Sequence, residues 1–415
     1  MTDLHDPLTL PCGLVLTNRI MKASMSEALA ESTHAPGARL EQLYRTWSHG
    51  GYGLLITGNV MVDRTQLGEP GNVVVEDDRD LDALTRWSKS AHDGGVPIWA
   101  QLNHPGRQSN PLAIGHTPVA PSAVPLNLPG SATPRELTSA EIEDIIERFV
   151  TAATVCETAG FDGIQIHAAH GYLVTQFLSP LSNLRTDEWG GDPSRRMRFL
   201  LEIVRRIRAR VSPGFAVGVK LNSADFQRGG FSEEESRGVV AALAEEGIDL
   251  LEISGGNYES PAMAGSAAAS TRAREAYFLD YARTVRQVAG GVPLAVTGGF
   301  RSRAAMQEAL HAGDCDVIGI ARPAATVPDA ADAILSERLP VLETRELSYG
   351  IPSALGKVMD GKALDGVLNI GWHTDQLHRM GAGKEPDLKR GRLATTIALL
   401  RRNGRVSRRP KRGIR

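Results

Sequence analysis

The chain has 415 residues, enough for one large domain with an extension or for two domains, and its 42% hydrophobic content excludes a disordered protein. A net charge of −2 excludes a general electrostatic attraction to nucleic acid or to a membrane surface. Three cysteines far apart in sequence indicate a reducing compartment rather than a disulfide framework. The N-terminus shows no secretion signal, and no apolar run reaches the roughly 18 residues of a membrane span, so we expect a cytoplasmic protein.

Strands and helices alternate in the first half of the chain. The predicted strands are Arg19–Ala23, Leu54–Val60, Pro97–Leu102 and the run that leads into His167. The predicted helices pass through Leu40–Trp47 and Leu81–Ala91 and begin at Thr138, where Glu141 completes a capping box. Between them, the segment Asn103–Leu137 carries seven prolines and no helical period. Such long connections are usually lids or binding loops.

The same alternation continues in the second half. The predicted strands are Phe215–Leu221, Asp249–Ser254, Pro293–Gly298 and Asp316–Ala321. Helices are predicted through Phe199–Ile207, after Ser232 with Glu235 as its capping partner, through Tyr277 and Tyr281, and through Met306–Leu310; a loop of small residues occupies Gly255–Thr271. Eight strands that alternate with helices predict a (β/α)₈ TIM barrel over residues 1–340. The alternative, a doubly wound sheet, needs a Gly-x-Gly-x-x-Gly turn after the first strand, and the sequence has none there.

Residues 341–415 contain no strand pattern and predict a helical extension with a basic tail. From Lys384 onward the chain has twelve Lys and Arg against two acidic residues, a local charge of +10, so the remainder carries −12. We favour a solvated helix with a frayed end over the alternative of RNA or membrane-surface binding.

Polar residues fall where the predicted strands end. Gln101, His167 and Lys220 lie at or near the ends of strands three, four and five. TIM-barrel active sites form at these C-terminal strand ends. The run Gly298-Gly299-Phe300-Arg301 follows strand seven and Ala321-Arg322 follows strand eight, a pattern typical of a phosphate-binding cradle built from backbone N–H groups and an arginine.

The stretch GIQIHAAHGYL brings two histidines and a tyrosine to the end of strand four. His167, His170 and Tyr172 can each donate a hydrogen bond or move a proton. The two histidines converge only if the chain turns after Ile166, which Gly171 favours. The alternative is a polar loop or a metal pair, but no third ligand with zinc-site spacing is evident in the sequence.

Several motifs in register resemble the Old Yellow Enzyme family of FMN-dependent ene-reductases. They are NRIMKASM, QLNHPGR, HAAHGYL, NLRTDEWGGDPSRRMRF, TGGFRS and IARP, which together span roughly residues 5–340. The strings GNVMVD, VKLNSADFQRGGF and TRAREAYF are more similar to the NADH:flavin oxidoreductase, or NADH oxidase, branch of that family.

The resemblance implies an FMN at the mouth of the barrel, with NADH or NADPH as reductant. It implies that the flavin is lined by Ala23, Ser24, Met25 and Ser26, that its pyrimidine edge is bonded by Asn59 and Gln101, that Lys220 lies near N1, and that the phosphate is held by Gly298, Gly299, Phe300, Ala321 and Arg322. It also implies that His167 and His170 bind a substrate carbonyl oxygen and that Tyr172 donates a proton. The alternatives are a core tyrosine for Tyr172 and a barrel-interior ion pair for Lys220.

The expected reaction is reduction of the C=C bond of α,β-unsaturated carbonyl compounds by hydride transfer from flavin N5. The alternatives are an NADH oxidase that passes electrons mainly to oxygen and a flavin-binding barrel without turnover. Four positions depart from what the family often has: Ser24 replaces proline, Ser26 replaces threonine or cysteine, Ala28 replaces tyrosine and Lys220 replaces arginine. These differences bear on redox potential and substrate preference. No cysteine follows Cys315, so the iron–sulfur cluster of the larger relatives lacks ligands here and no metal site is expected. The expected partners are a small alkene and a nicotinamide nucleotide; the sequence does not decide whether the chain forms a homo-oligomer.

Overall fold

Eight parallel strands close into a barrel in the computed structural model, which describes residues 1–128, 131–256, 259, 275–276, 278–350 and 361–407. The barrel strands are β1 (Ile20–Lys22), β2 (Leu54–Met61), β3 (Ile98–Asn103), β4 (Gly163–Ala168), β5 (Ala216–Asn222), β6 (Leu250–Ser254), β7 (Leu294–Thr297) and β8 (Val317–Ile320). Each pairs with the next in chain order, and β8 returns to pair with β1. The predicted TIM barrel is confirmed, and the doubly wound alternative is wrong because the sheet has no open edge between β8 and β1.

Helices follow the strands around the outside of the barrel. They are α1 (Ala38–Ser48), α2 (Leu81–His92), α3 (Ser139–Thr158), α4 (Leu173–Leu178), α5 (Pro193–Arg208), α6 (Glu233–Glu245), α7 (Leu279–Val285), α8 (Arg303–His311) and α9 (Ala330–Leu335). The capping boxes predicted at Thr138 and Ser232 are both formed, with Glu141 and Glu235 as their partners. Tyr277 and most of the Gly255–Thr271 loop lie outside the described residues.

The N-terminal end of the barrel is filled by apolar side chains. A two-stranded antiparallel hairpin, Leu8–Thr9 with Val15–Leu16, precedes β1 and packs Leu10 and Leu16 against a cluster inside the barrel. Trp99 of β3 belongs to this cluster and is fully buried. A Cβ on Gly218 of β5 would lie 2.6 Å from Trp99 Cζ3, so only glycine fits there. The interior is therefore closed at this end, and the chemistry must occur at the other.

Two helices of the extension, α10 (Gly361–Met380) and α11 (Arg392–Ser407), pack against each other. α10 also contacts α1 and the 3-10 turn Arg322–Ala325 that follows β8. His378 Nε2 lies 3.0 Å from the carbonyl oxygen of Glu27. The extension thus lies over the C-terminal end of the barrel. Across the described ranges, no helix is long and apolar enough to cross a membrane.

Candidate active site

A cavity of about 480 Å³ opens at the C-terminal ends of the barrel strands. It brings together most of the side chains that the sequence singled out. Those that line it are Ser24, Met25, Ser26, Asn59, Gln101, His167, His170, Tyr172, Lys220, Gly298, Gly299, Phe300, Ala321 and Arg322. Ala23 differs from them, because it is fully buried in the barrel-interior cluster and its N–H donates to Ile320.

His167, His170 and Tyr172 form one cluster on a wall of this cavity. The ring centroid of His167 lies 5.0 Å from that of His170 and 4.8 Å from that of Tyr172, each edge to face. The turn that the sequence required occurs at His170, whose φ of 63° is left-handed, and at Gly171, whose φ is 78°. The strand end therefore turns both imidazoles and the phenol towards the same space.

Hydrogen bonds orient the two imidazoles. Nδ1 of His167 accepts from the N–H of Ala169 at 3.2 Å, so the proton of a neutral ring lies on Nε2. Nε2 of His170 lies 2.8 Å from the hydroxyl of Ser254, and its backbone N–H donates to Asn222 at 3.1 Å. Burial lowers the pKa of His167 well below its usual range, helped by His170 and by the Lys220 ammonium. Burial and Lys220 lower the pKa of His170 in the same way. Both rings are thus neutral at physiological pH, and each carries one N–H donor.

Lys220 belongs to a chain of buried polar groups below the histidines. Its ammonium lies 2.9 Å from a carboxylate oxygen of Glu252, which is fully buried. The other oxygen of Glu252 accepts from Gln165, whose amide oxygen accepts from Gln101 at 2.7 Å. The hydroxyl of Ser24 donates to the amide oxygen of Gln101, also at 2.7 Å. Lys220 therefore pairs with Glu252 inside the barrel and also lines the cavity, and its position near flavin N1 stays a prediction.

The backbone at the ends of β7 and β8 has the shape of an anion cradle. Gly298 and Gly299 have φ values of 135° and 92°, in the region that favours glycine. Arg322 opens the short 3-10 turn after β8. The N–H groups of Arg301 and Ser302 already donate to the carboxylate of Glu275, at 2.9 Å each. The phosphate site that the resemblance implies at the Gly298–Phe300 run and Arg322 therefore stays a prediction, on a backbone whose shape is compatible with it.

The cavity also contains residues that the sequence reasoning missed. Glu69 and Asn72 come from the loop after β2, and Asn369, His373 and Thr374 come from α10. Ser26 bonds Glu69, whose pKa burial raises to about 7. Burial lowers the pKa of His373 to about 4, with a contribution from the nearby Arg322. Ser254 and Thr297, which also line the cavity, carried a positional signal because each ends a predicted strand, whereas α10 has no motif that points to a site.

The polar groups of this cavity fit FMN. Three of its buried polar atoms, Asn59 Oδ1, Thr297 Oγ1 and His373 Nε2, have no hydrogen-bond partner among the described residues. Buried polar atoms are rarely left unpaired, so they indicate a polar ligand. The cavity volume lies in the usual range for cofactor sites, about 300–1,000 Å³. Within the described ranges, no group of three His, Cys, Asp or Glu residues is placed to hold a metal ion, so the metal-pair alternative for the histidines finds no third ligand there.

Comparison with known proteins identifies the family. The family model described as NADH:flavin oxidoreductase / NADH oxidase matches residues 3–339. The chain belongs to this family. NADH:flavin oxidoreductases use FMN and a nicotinamide nucleotide, so these are the cofactors of this chain, and its general activity is flavin-dependent oxidoreduction.

Individual relatives agree with this assignment. The NADH-dependent flavin oxidoreductase iliE of Hypocrea jecorina is 39% identical over 355 residues, which cover 79% of this chain and 88% of that protein. An NADH oxidase of Thermoanaerobacter brockii is 36% identical over 313 residues, which cover 75% of this chain but 47% of that protein. Among solved structures, the old yellow enzyme homologue from Zymomonas mobilis superposes with a TM-score of 0.70 at 25% identity, covering 83% of this chain and 95% of that one. This NADH:flavin oxidoreductase thus matches its relatives over the barrel, while the match to the family model ends before the extension.

Proposed function

We propose that this NADH:flavin oxidoreductase is an ene-reductase that reduces the C=C bond of α,β-unsaturated carbonyl compounds. The observation that carries the proposal is the cluster of His167, His170 and Tyr172, which shares one cavity with the residues implied to hold FMN. A protein that merely binds flavin has no need of two hydrogen-bond donors and a proton donor on one wall. This argues against a non-catalytic barrel.

In this proposal the two histidines bind the carbonyl oxygen of the substrate. The chemistry that bound FMN would supply is hydride transfer from N5 to the β-carbon, which would leave negative charge on the carbonyl oxygen. Because their pKa values are lowered, both imidazoles remain neutral, so they donate hydrogen bonds to this oxygen without giving up a full proton. Preplaced donors of this kind are worth about 10²–10³ in rate each.

Tyr172 protonates the α-carbon in the proposed reaction. Its ring packs against His167, and its hydroxyl lies 3.4 Å from Nδ2 of Asn59. The side chain is almost completely buried, which holds the phenol in one place. A positioned proton donor contributes about 10²–10⁴ in rate.

We propose that the remaining cavity residues hold the cofactor. Ser24, Met25 and Ser26 would line one side of the flavin; Asn59, Gln101 and Lys220 would bond its pyrimidine part; Gly298, Gly299, Phe300, Ala321 and Arg322 would hold the phosphate. Ala23 supports Ser24 from the barrel interior. The FMN-binding barrel is residues 1–340 and the extension is residues 341–415, with α10 completing one wall of the site.

Steady-state rates with cyclohexenone or maleimide, in air and without oxygen, test the proposal. We expect NAD(P)H consumption that depends on the alkene, persists without oxygen and yields the saturated product in equal amount. The double variant His167→Ala with His170→Ala should lose this activity while keeping bound FMN. NAD(P)H consumption that requires oxygen and ignores the alkene would instead establish an NADH oxidase, a candidate that the relative from Thermoanaerobacter brockii favours.

A further inference from the structure

A second cavity, of about 600 Å³, adjoins the candidate active site. Its walls come from the loops around Ala28–Ala30 and Glu69–Gly71 and from the facing sides of α10 and α11. Neither the sequence motifs nor the proposed reaction assigns a role to this space.

Positive charge predominates around this second cavity. Its lining includes the four arginines Arg39, Arg390, Arg401 and Arg402, against Glu69 as an acidic residue. Since burial raises the pKa of Glu69 to about 7, its carboxyl is only partly ionised at neutral pH. Two of the arginines have partners of their own, because Arg39 donates to the carbonyl of His378 at 2.9 Å and Arg390 pairs with Asp375, which is not a lining residue. Arg401 is exposed and Arg402 is half-buried, so the two extend the charge along α11.

The two cavities share a wall. Glu69, Ile370 and Thr374 line both of them. Ile370 nevertheless remains 62% exposed, and Val367, one helical turn before it, remains 59% exposed. The two cavities are therefore adjacent, with exposed apolar side chains of α10 beside their common wall.

We propose that the second cavity binds the phosphate-bearing half of the nicotinamide dinucleotide. The reductant of this family carries an uncharged reactive ring and, at its other end, a pyrophosphate and an adenosine. Arginines suit phosphate oxygens because their planar guanidinium groups can donate two parallel hydrogen bonds. Ile370 and Val367 offer the adenosine an apolar surface. The inference rests on the use of NAD(P)H and not on the identity of the electron acceptor.

The decisive experiment compares two reductants in anaerobic stopped-flow measurements of flavin reduction in the holoenzyme. NADH carries the phosphates, whereas 1-benzyl-1,4-dihydronicotinamide carries the same reactive ring without them. In the double variant Arg401→Gln with Arg402→Gln, we expect the apparent Kd for NADH to rise by about tenfold or more, from the loss of charge-assisted hydrogen bonds. The limiting rate with NADH and all constants with the benzyl compound should stay at their wild-type values.

Two further variants serve as controls. Arg210→Gln removes an exposed charge just after α5, at the opposite end of the barrel, and should leave the Kd for NADH unchanged. The pair Arg401→Lys with Arg402→Lys keeps the charge and should recover part of the lost affinity. ADP-ribose should bind the wild-type holoenzyme and compete with NADH, and it should bind the Gln variant more weakly.

Three results would overturn the inference. An unchanged Kd for NADH in the Gln variant would show that the phosphate-bearing half of the bound dinucleotide lies outside the second cavity. An equal effect on both reductants would mean that the arginines act through the flavin cavity. A raised KM only for an acceptor that bears a carboxylate, with NADH unaffected, would assign the cavity to the acceptor. Flavin reduction by NADH and the affinity for the acceptor are measured separately. The test of the second cavity therefore remains valid even if the protein does not reduce alkenes.

Discussion

Tyr172 is the residue whose removal best separates the two halves of the proposed reaction. Tyr172→Phe deletes one oxygen from a side chain that packs on His167, so FMN binding should persist. Flavin reduction by NAD(P)H needs no proton from this residue and should stay near the wild-type rate, whereas alkene reduction should fall by about 10²–10⁴. Stopped-flow traces of both half-reactions measure this. An equal loss in both, or no loss in either, would remove Tyr172 from the mechanism.

Lys220 pairs with Glu252 and is proposed also to stabilise the reduced flavin, and a pair of variants can distinguish these two roles. Lys220→Met should lower the flavin reduction potential by on the order of 30 mV, equal to about 1.4 kcal/mol for a two-electron couple, because a positive charge near N1 favours the reduced anion. It should also reduce the free energy of unfolding by about 3–5 kcal/mol, since Glu252 is left buried without its partner.

The double variant Lys220→Met with Glu252→Gln is the matched control. It removes both charges of the pair, so the free energy of unfolding should recover towards the wild-type value. Potentiometric titration and thermal unfolding then report on separate properties. If neither variant shifts the potential, Lys220 is only a structural ion-pair residue.

The residues found from sequence share one property: they follow strand ends or lie within family motifs. Gln101 and His167 could be located because parallel strands end at the same rim. Glu69 and His373 could not, because a loop carboxylate and a mid-helix histidine reach the cavity only through tertiary packing. The ion pair between Lys220 and Glu252 could not be predicted either, because it depends on the register between β5 and β6.

At the scale of elements, one glycine lies at a close contact between α10 and α11. A Cβ on Gly371 would lie 2.6–2.7 Å from the side-chain carbons of Leu399. Gly371→Leu should therefore separate the two helices, at a cost of about 1–3 kcal/mol for overpacking. Hydrogen exchange should show faster exchange along α11 while the barrel strands keep their protection.

Leu399→Ala tests whether the effect comes from this contact. Added to Gly371→Leu, it makes room for the new side chain and should restore much of the protection of α11. Two results would contradict local packing as the cause. One is faster hydrogen exchange in the barrel strands of the single variant, and the other is a double variant in which α11 regains no protection.

Most elements could be predicted because periodicity and caps are local properties. The strand containing His167 and the capping boxes at Thr138 and Ser232 are examples. The segment Asn103–Leu137 shows no helical period in its sequence, yet it contains a 3-10 turn (Gly106–Gln108), a four-residue helix (Pro111–Ile114) and a short strand, Val119–Ala120, that pairs with Arg135–Glu136. Two-residue strands give no pattern, so pairing across the loop determines them. Helix α4, which begins directly after Tyr172, was also missed because it spans only six residues.

At the scale of the whole molecule, cofactor and extension should stabilise each other. His373, Thr374 and Leu377 of α10 line the candidate flavin cavity. Removal of FMN should therefore lower the thermal midpoint and selectively increase hydrogen exchange in Gly361–Met380, because a ligand stabilises the elements that contact it. The N-terminal hairpin lies at the opposite end of the barrel and is the internal control. An equal increase in hydrogen exchange in α10 and in the N-terminal hairpin would contradict this coupling.

The position of α10 in the sequence also affects the order in which folding and FMN binding can occur during synthesis. The barrel precedes α10 along the chain, and domains generally fold as they emerge during synthesis. The mouth of a newly closed barrel is therefore open to FMN before the helix that completes its wall has been made. Once α10 is seated, with His378 against the backbone of Glu27, the cavity proposed to hold the flavin has this helix as one of its walls. The lifetime of the bound cofactor should then depend on how often this helix undocks, so substitutions outside the cavity that loosen α10 should shorten that lifetime.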